Sequence, residues 1–235
     1  MKKILSRILV SCLLVSASSV LADNNKGGFS LGSTRVIFKE NEQSATLSVN
    51  NSAKDSPFLA QSWLTSYSKD EKKPPFIITP PLYRQDFGKN TLRIIKTNDD
   101  LPKDRESAFW LNVKAIPAER GDAQNSAKIS FAYVLRIKMF YRPSALIGEA
   151  NNAYKELSFA QKGNKLVVKN TTPYFVTLNK VMVDGVDVEN VSDMVPPLSH
   201  EEYILPSSKL IKKVEYKSIN DMGGLTPGIV KSVAE

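Results

Sequence analysis

Residues 101–118 read LPKDRESAFWLNVKAIPA. Taken alone, this stretch predicts a charged turn followed by a β-strand that directs an aromatic face toward a core. Period-two alternation recurs on both sides of it, at residues 45–49, 92–95, 129–141, 165–169, 174–183, 202–205 and 213–219. The pair Asp184 and Gly185 predicts a hairpin. Many short strands separated by turn-rich segments indicate an all-β chain built from β-sandwiches.

The 235 residues divide into three predicted segments. Residues 1–22 have a basic start, a short apolar middle and a small-residue cleavage pattern, which are the features of a secretory signal peptide. Residues 23–142 and 143–235 would each form one sandwich of about 100 residues, with Pro143 ending the longest strand. The only cysteine, Cys12, lies within the signal, so the exported chain would depend on its core and not on disulfides. A loose lipoprotein-type pattern at Cys12 leaves lipidation open.

The composition argues against several classes of protein. With 42% hydrophobic and 24% charged residues, the chain has the composition of a folded globular protein. Its net charge of +8 comes from the first half, and no basic helix or aromatic RNA-reading motif accompanies it, so we expect no nucleic-acid partner. One cysteine and one histidine are too few for a clustered metal site. After the signal, no apolar run is long enough for a membrane-spanning helix.

Catalysis has little support in the sequence. His200 lies in a polar stretch that we predict to be a solvated turn, and no Gly-x-Ser-x-Gly elbow accompanies it. We therefore expect no enzyme and no cofactor. A hydrolase that uses His200 stays as a rival hypothesis, which a His200→Ala activity assay would test.

Several motifs in order along the chain resemble one family. They are residues 101–118 together with GSTR at 32–35, PFLAQSW at 57–63, ITPPLYR at 78–84, LRIIKT at 92–97, RIKMFYRP at 136–143 and INDMGG at 219–224. This set resembles the periplasmic pilus (fimbrial) assembly chaperones of the chaperone–usher pathway, over nearly the whole chain after the signal. Met222 replaces the family's usual Tyr, and Thr171 stands where a Pro is common.

The resemblance implies a fold and a function. It implies two immunoglobulin-like domains in an L or boomerang arrangement, in a periplasmic protein that binds, folds and caps pilus subunits and delivers them to an outer-membrane usher. No nucleotide or cofactor would be needed. The short connection 117–129, without a cysteine pair, is similar to that of the short-loop chaperones. The rival of a different class is an exported Ig-like structural subunit or adhesin, but residues 23–28 are polar and do not form an alternating donor segment.

The resemblance also implies two subunit-binding sets. Arg35 and Lys138 would anchor the carboxylate at the subunit's C-terminus, because two cations in a partly desolvated cleft form strong charge-assisted hydrogen bonds. A row of alternate side chains would complete the subunit by strand addition, namely Ile129, Phe131, Tyr133 and Leu135. For the first set, the competing interpretation is that both residues are ordinary surface cations. For the second, it is packing in the chain's own core, either by Leu135 and Ile137 or by the opposite face at Ala132 and Val134.

A third set, Glu106, Arg142 and Asp221, would form an ion network between the domains in similar chaperones. Exposed ion pairs contribute only about 0–1 kcal/mol each. We therefore expect this set to fix the angle between the domains and to add little to stability.

Overall fold

The structure is a computed structural model that describes residues 27–68, 73–118, 131–191 and 193–233. The predicted signal peptide with Cys12, and Ile129 of the predicted donor row, lie outside these residues. Within them, no helix is long and apolar enough to cross a membrane.

In its described part, the first domain is a sandwich of nine strands. They are β1 Phe29–Leu31, β2 Arg35–Lys39, β3 Ala45–Asn51, β4 Phe58–Ser66, β5 Phe76–Thr79, β6 Leu82–Gln85, β7 Gly88–Lys96, β8 Ser107–Pro117 and β9 Tyr133–Arg142. One sheet has the order β1-β3-β7-β5 and the other β2-β9-β8-β4-β6. The alternation in the sequence explains the layers, because β3 buries Ala45, Leu47 and Val49 and exposes the residues between them. The strand predicted to follow the charged turn within residues 101–118 is confirmed as β8.

The two halves of β9 differ in their pairing. Residues Tyr133–Tyr141 pair with β8 in antiparallel register, whereas β2 pairs in parallel with only the second half, from Lys138 to Arg142. Residues 133–137 therefore have a neighbouring strand on one side only among the described strands. An edge of this kind leaves main-chain N–H and C=O groups available to another chain.

The second domain is a smaller sandwich that follows a 3-10 helix, η1, at Ala150–Glu156. Its strands are β10 Ser158–Lys162, β11 Lys165–Asn170, β12 Thr177–Val183, β13 Val186–Asp187, β14 Ser199–Ile204, β15 Lys213–Ile219 and β16 Ile229–Ser232. They form sheets of order β10-β11-β14 and β13-β12-β15-β16. The Asp-Gly hairpin is confirmed, with φ of 48° at Asp184 and 88° at Gly185 between paired Val183 and Val186.

Three details of the sequence prediction were wrong. Within the described residues, the strand predicted over 129–141 begins only at Tyr133. His200 is exposed but lies in strand β14, where it pairs with Lys169, and not in a turn. The strand predicted from Tyr174 begins at Thr177, because the main chain of Glu106 bonds to Pro173 and its side chain to the N–H of Phe175, which ties this segment to the first domain.

Each sandwich has its own hydrophobic core. The first core draws on residues up to Tyr141, and the second on residues from Ala153 onward. A third, small cluster joins the two domains, with Ala108 and Phe140 from the first domain against Met194 from the second. The all-β class with two immunoglobulin-like domains is thus confirmed. The boundary between residues 142 and 143 remains our proposal.

Candidate functional site

The side of the molecule where the domains meet contains an arginine with two carboxylate partners. Arg142 ends β9, and its Nε donates to Oε1 of Glu106 at 2.6 Å. Its Nη1 and Nη2 donate to the two carboxylate oxygens of Asp221 at 2.7 and 3.0 Å. The other oxygen of Glu106 accepts a hydrogen bond from the N–H of Phe175 at 2.9 Å. The structure therefore brings together all three residues of the predicted network.

Burial changes the expected energetics of this network. Burial disfavours the charged form of Arg142, but its bonds to Asp221 and the charge of Glu106 outweigh it, so the pKa of the guanidinium is raised. Burial raises the pKa of the Glu106 carboxyl, whose side chain is only 2% exposed. The assumption that this network consists of exposed ion pairs was therefore wrong for Glu106. Removing one partner of a buried pair costs about 3–5 kcal/mol, because the other charge is left without compensation.

A second group of cations lies close by, and its charges are not neutralised. Arg35 on β2 and Lys138 on β9 are direct partners in the parallel register. Lys138 places its ammonium 5.8 Å from the centre of the Trp110 ring, and the guanidinium of Arg35 lies 5.7 Å from that of Phe140. Neither cation forms an ion pair with a carboxylate of the residues that the structure describes.

The environment of these two cations favours an incoming anion. Burial, together with the charge of Arg35, lowers the pKa of Lys138 to about 8, although Asp193 acts in the opposite direction. Burial also lowers the pKa of Arg35, against the influence of Asp221 and Glu106. The Nη1 of Arg35 donates to the carbonyl of Ile219 at 3.2 Å, while its buried Nε has no partner in the described part of the chain. A bound carboxylate would relieve the repulsion between the two cations.

The described members of the predicted donor row lie at, or just before, the edge of β9 that has no second neighbour among the described strands. Phe131 precedes the strand and is 76% exposed, and Tyr133 is 39% exposed. Tyr133 also approaches Phe58 edge-on, with ring centres 6.4 Å apart. Leu135, like Ile137, packs partly against the first core. For these two residues, the alternative of packing in the chain's own core is therefore partly correct. Ile129 lies outside the described residues.

Near the start of β9, the opposite face does not enter the core of the first domain. Ala132 and Val134 are exposed, so the alternative interpretation for these two residues is wrong in the free protein. Arg136 on the same face donates to Oδ1 of Asn112 and lies over the Trp110 ring. The cations thus occupy the outer face of the sheet and the donor row the inner face, as strand alternation requires.

Both domains of the chain match models of known protein families. Residues 28–147 match the family described as pili and flagellar-assembly chaperone, PapD N-terminal domain, and residues 152–229 match the pili assembly chaperone PapD C-terminal domain. The chain belongs to the PapD family. Among curated relatives of this PapD-family chain, the probable fimbrial chaperone LpfB of Escherichia coli O157:H7 is 40% identical over 96% of each chain. The chaperone protein FimC of Escherichia coli K12 is 37% identical over 93% of this chain and 90% of its own.

Solved structures agree with the family assignment. A structure of the Salmonella enterica SafA pilin in complex with the SafB chaperone matches with a TM-score of 0.79 and 31% identity, over 88% of this chain and 96% of that chain. The Escherichia coli chaperone DraB matches with a TM-score of 0.77 and 33% identity, over 88% and 97% of the two chains. The family is one of chaperones. Within the described residues of this PapD-family chain, no cluster of three or more His, Cys, Asp or Glu side chains could hold a metal ion.

Sequence reasoning missed residues that complete the site of this PapD-family protein. Trp110 lies beneath Lys138, and the hydroxyl of Tyr67 accepts a hydrogen bond from the N–H of Met194 across the domain junction at 3.0 Å. Tyr67, Trp110 and Met194 also line a cavity of about 870 Å³ between the domains. Trp110 belongs to the motif of residues 101–118, but only the register of β8 with β9 shows that it faces Lys138.

Proposed function

We propose that this protein is a periplasmic chaperone that captures pilus subunits along the free edge of β9 and anchors the subunit's C-terminal carboxylate on Arg35 and Lys138. It would then deliver the subunit to an outer-membrane usher. The relatives' names and the SafA–SafB complex support the subunit as the class of partner. The predicted signal peptide and the family support the periplasm, and the usher follows from the same pathway.

One observation carries the proposal, namely that the free edge of β9 ends at the two cations. Among the described strands, residues 133–137 have no second neighbour, and β2 begins its parallel pairing at Arg35 opposite Lys138. A subunit strand that fills the vacant side in line with β2 would run parallel to β9. Its last residue would then reach Arg35, so its terminal carboxylate would meet both cations.

The anchor would supply affinity and register together. Hydrogen bonds to charged groups contribute about 1.5–3 kcal/mol each, and Arg35 and Lys138 both donate to the same terminal group. Because a one-residue slip turns every side chain to the other face of a strand, fixing the terminus also fixes which subunit residues face inward.

The donor row would complete the subunit's fold. Main-chain bonds along the edge give affinity, and alternate side chains enter the pockets of the partner, a mode for which chaperone–pilin complexes are a known example. Phe131 and Tyr133 are exposed enough to enter a groove in the subunit. Leu135 would contact both the subunit and the chaperone's own core. The folding of the subunit supplies the free energy, so neither catalysis nor a cofactor is required.

The alternative, an Ig-like structural subunit or adhesin, is not favoured by the comparisons, since both domains match chaperone models. Co-expression with pilus subunits encoded in the same genetic neighbourhood tests the proposal. We expect a soluble one-to-one complex in the periplasmic fraction and protection of the subunit from proteolysis. A folded chain that leaves every such subunit unprotected, or that is itself built into surface fibres, would contradict it.

A further inference from the structure

The loop that follows β15 is closed by its own hydrogen bonds. The N–H of Asn220 donates to the carbonyl of Gly224 at 2.9 Å, and the N–H of Gly223 donates to the carbonyl of Asn220 at 3.0 Å. The side-chain oxygen of Asn220 accepts the N–H groups of Met222 and Gly224 at 3.0 and 2.9 Å. Ile219 and Leu225 form an antiparallel bridge at the base of the loop. The loop 219–225 is therefore a preformed unit of the second domain.

This loop contacts the first domain at three points. Asp221 binds Arg142 through both carboxylate oxygens. The carbonyl of Ile219 accepts the hydrogen bond from Nη1 of Arg35. Gly223 lies against the side chain of Thr34, the residue that precedes Arg35. One loop thus contacts both groups of cations.

Gly223 has two separate reasons to lack a side chain. Its φ is +81°, in the left-handed region that residues with a Cβ rarely adopt. A Cβ on Gly223 would also lie 2.3 Å from Oγ1 of Thr34, but 3.5 Å from its Cβ. The neighbouring Gly224 differs, because a Cβ there would meet only Asn220, at an ordinary 3.5 Å. The close approach of the loop to β2 therefore depends on Gly223.

The contact with Ile219 uses only one of the two terminal nitrogens of Arg35, because Nη2 forms no hydrogen bond within the described part of the chain. Nη1 is held by the carbonyl, whereas the buried Nε is without a partner among the described residues. If the loop moved away, the guanidinium would lose this fixed acceptor. It would then be free to turn toward Glu106, a first-domain carboxylate whose charge acts on it.

We propose that the loop 219–225 is the positioning element of the carboxylate anchor: Gly223 lets the loop rest on Thr34, and the Ile219 carbonyl then holds Arg35 in the orientation that receives a subunit's terminal carboxylate. The anchor is thus assembled by both domains, although both of its cations belong to the first. Gly223 acts as a positioning residue and does not touch the subunit. This inference rests on the proposed function of Arg35 and Lys138.

The test uses a readout that isolates the anchor. A synthetic peptide carrying the C-terminal strand of a co-encoded pilus subunit is prepared with a free C-terminal carboxylate and as its amide. The ratio of the two affinities, measured by calorimetry, reports the carboxylate contact alone. In Gly223→Ala we expect this ratio to fall about tenfold or more, with little change for the amide, because one charge-assisted hydrogen bond is worth at least that factor. The matched control Gly224→Ala should keep the wild-type ratio.

A second variant separates the clash from backbone strain. Thr34→Ala removes the oxygen that a new Cβ would meet, so Thr34→Ala/Gly223→Ala should recover the ratio while the melting temperature stays lowered by the positive φ. A purely structural role for Gly223 would instead make the ratio follow the melting temperature in every variant. An unchanged ratio in folded Gly223→Ala, or no recovery in the double variant, would overturn the inference.

Failure of the proposed function gives a different result. If the wild-type protein binds acid and amide equally, the anchor itself is wrong and so is any positioning of it. If the wild type prefers the acid and Gly223→Ala keeps that preference, only the role of the loop is wrong.

Discussion

The junction between the domains holds two groups of cations that differ in one respect. Arg142 is surrounded by carboxylates from both domains, while Arg35 and Lys138 lie side by side without one in the described part of the chain. Their surroundings are otherwise alike, since each group is partly buried and near an aromatic ring. The pKa of Arg142 is raised and that of Lys138 is lowered.

This difference shows how the same residue type is used in two ways. A buried cation with carboxylate partners from the protein itself holds two domains together. A desolvated cation without such a partner is destabilised until an anion arrives from outside. The free protein therefore carries an electrostatic cost at Arg35 and Lys138 that a bound carboxylate would remove.

The largest effect should come from removing the unneutralised pair. Arg35→Ala/Lys138→Ala eliminates both donors to the subunit's terminus, so we expect subunit affinity to fall by about 10²–10⁴-fold, from two bonds of about 1.5–3 kcal/mol each. Stability should change little, because relief of the like-charge repulsion offsets the lost hydrogen bond from Arg35 to the carbonyl of Ile219. Binding to a co-encoded subunit and thermal unfolding would check both expectations.

Lys39 provides the matched control for that variant. It lies on β2 two alternations after Arg35, and its ammonium is 3.7 Å from a carboxylate oxygen of Glu42. Lys39→Ala should leave subunit affinity unchanged, since exposed pairs of this type contribute little. Equal losses in the control and the double variant would indicate a general charge effect.

The opposite result is expected for the neutralised group. Arg142→Ala leaves Glu106 buried without its cation, and we expect it to lower the free energy of unfolding by about 3–5 kcal/mol. Glu106→Gln/Arg142→Ala should recover part of that loss, because the amide carries no charge. Denaturant unfolding measures both variants. Small-angle scattering would show whether the domain angle changes, and an unchanged angle with normal stability would reject the network's role.

The donor row should show a smaller effect with a defined pattern. Burying Phe131 in a subunit groove would contribute about 1.5–3 kcal/mol, so Phe131→Ser should weaken subunit binding about 10- to 100-fold. Tyr133→Ser should act in the same direction. Val134→Ser, on the opposite face, should have little effect. Losses that merely follow unfolding of the chaperone would assign the row to its own core.

The smallest effect is a dependence on pH. In the free protein the pKa of Lys138 is lowered to about 8 by burial and by Arg35, and a bound carboxylate should raise it again. The complex then binds more protons than the free protein above this value, so affinity should fall as pH rises, by about fivefold between pH 8 and 9. Lys138→Arg stays charged and should give a flat profile in calorimetric titrations. A matching decline in that variant would point to another group.

Much of this architecture could be predicted from sequence because strand alternation and turn residues are local signals. The buried face of β3 and the hairpin at Asp184 follow from them directly. The prediction of the two-domain fold and of the binding residues also relied on the ordered motifs that resemble a known family. The start of β12 could not be predicted, since it depends on a contact between Glu106 of the first domain and the segment that precedes β12 in the second.

The electrostatics of the site could not be predicted for a related reason. Two features depend on packing and register, which a single sequence does not contain. They are the burial of Glu106 and the side of residues 133–137 that has no neighbour among the described strands. The contact between Gly223 and Thr34 joins residues far apart in the chain, and the motif alone gives no sign of it. These are the features on which the proposed mechanism depends most.

The most direct test of the account compares the wild-type protein with Arg35→Ala/Lys138→Ala, each titrated by calorimetry with the subunit's C-terminal peptide as free acid and as amide. The account predicts that the wild type binds the acid at least tenfold more tightly, by the value of a charge-assisted hydrogen bond, and that the double variant shows no preference. The same preference in both proteins would contradict it, because the carboxylate would then be bound elsewhere.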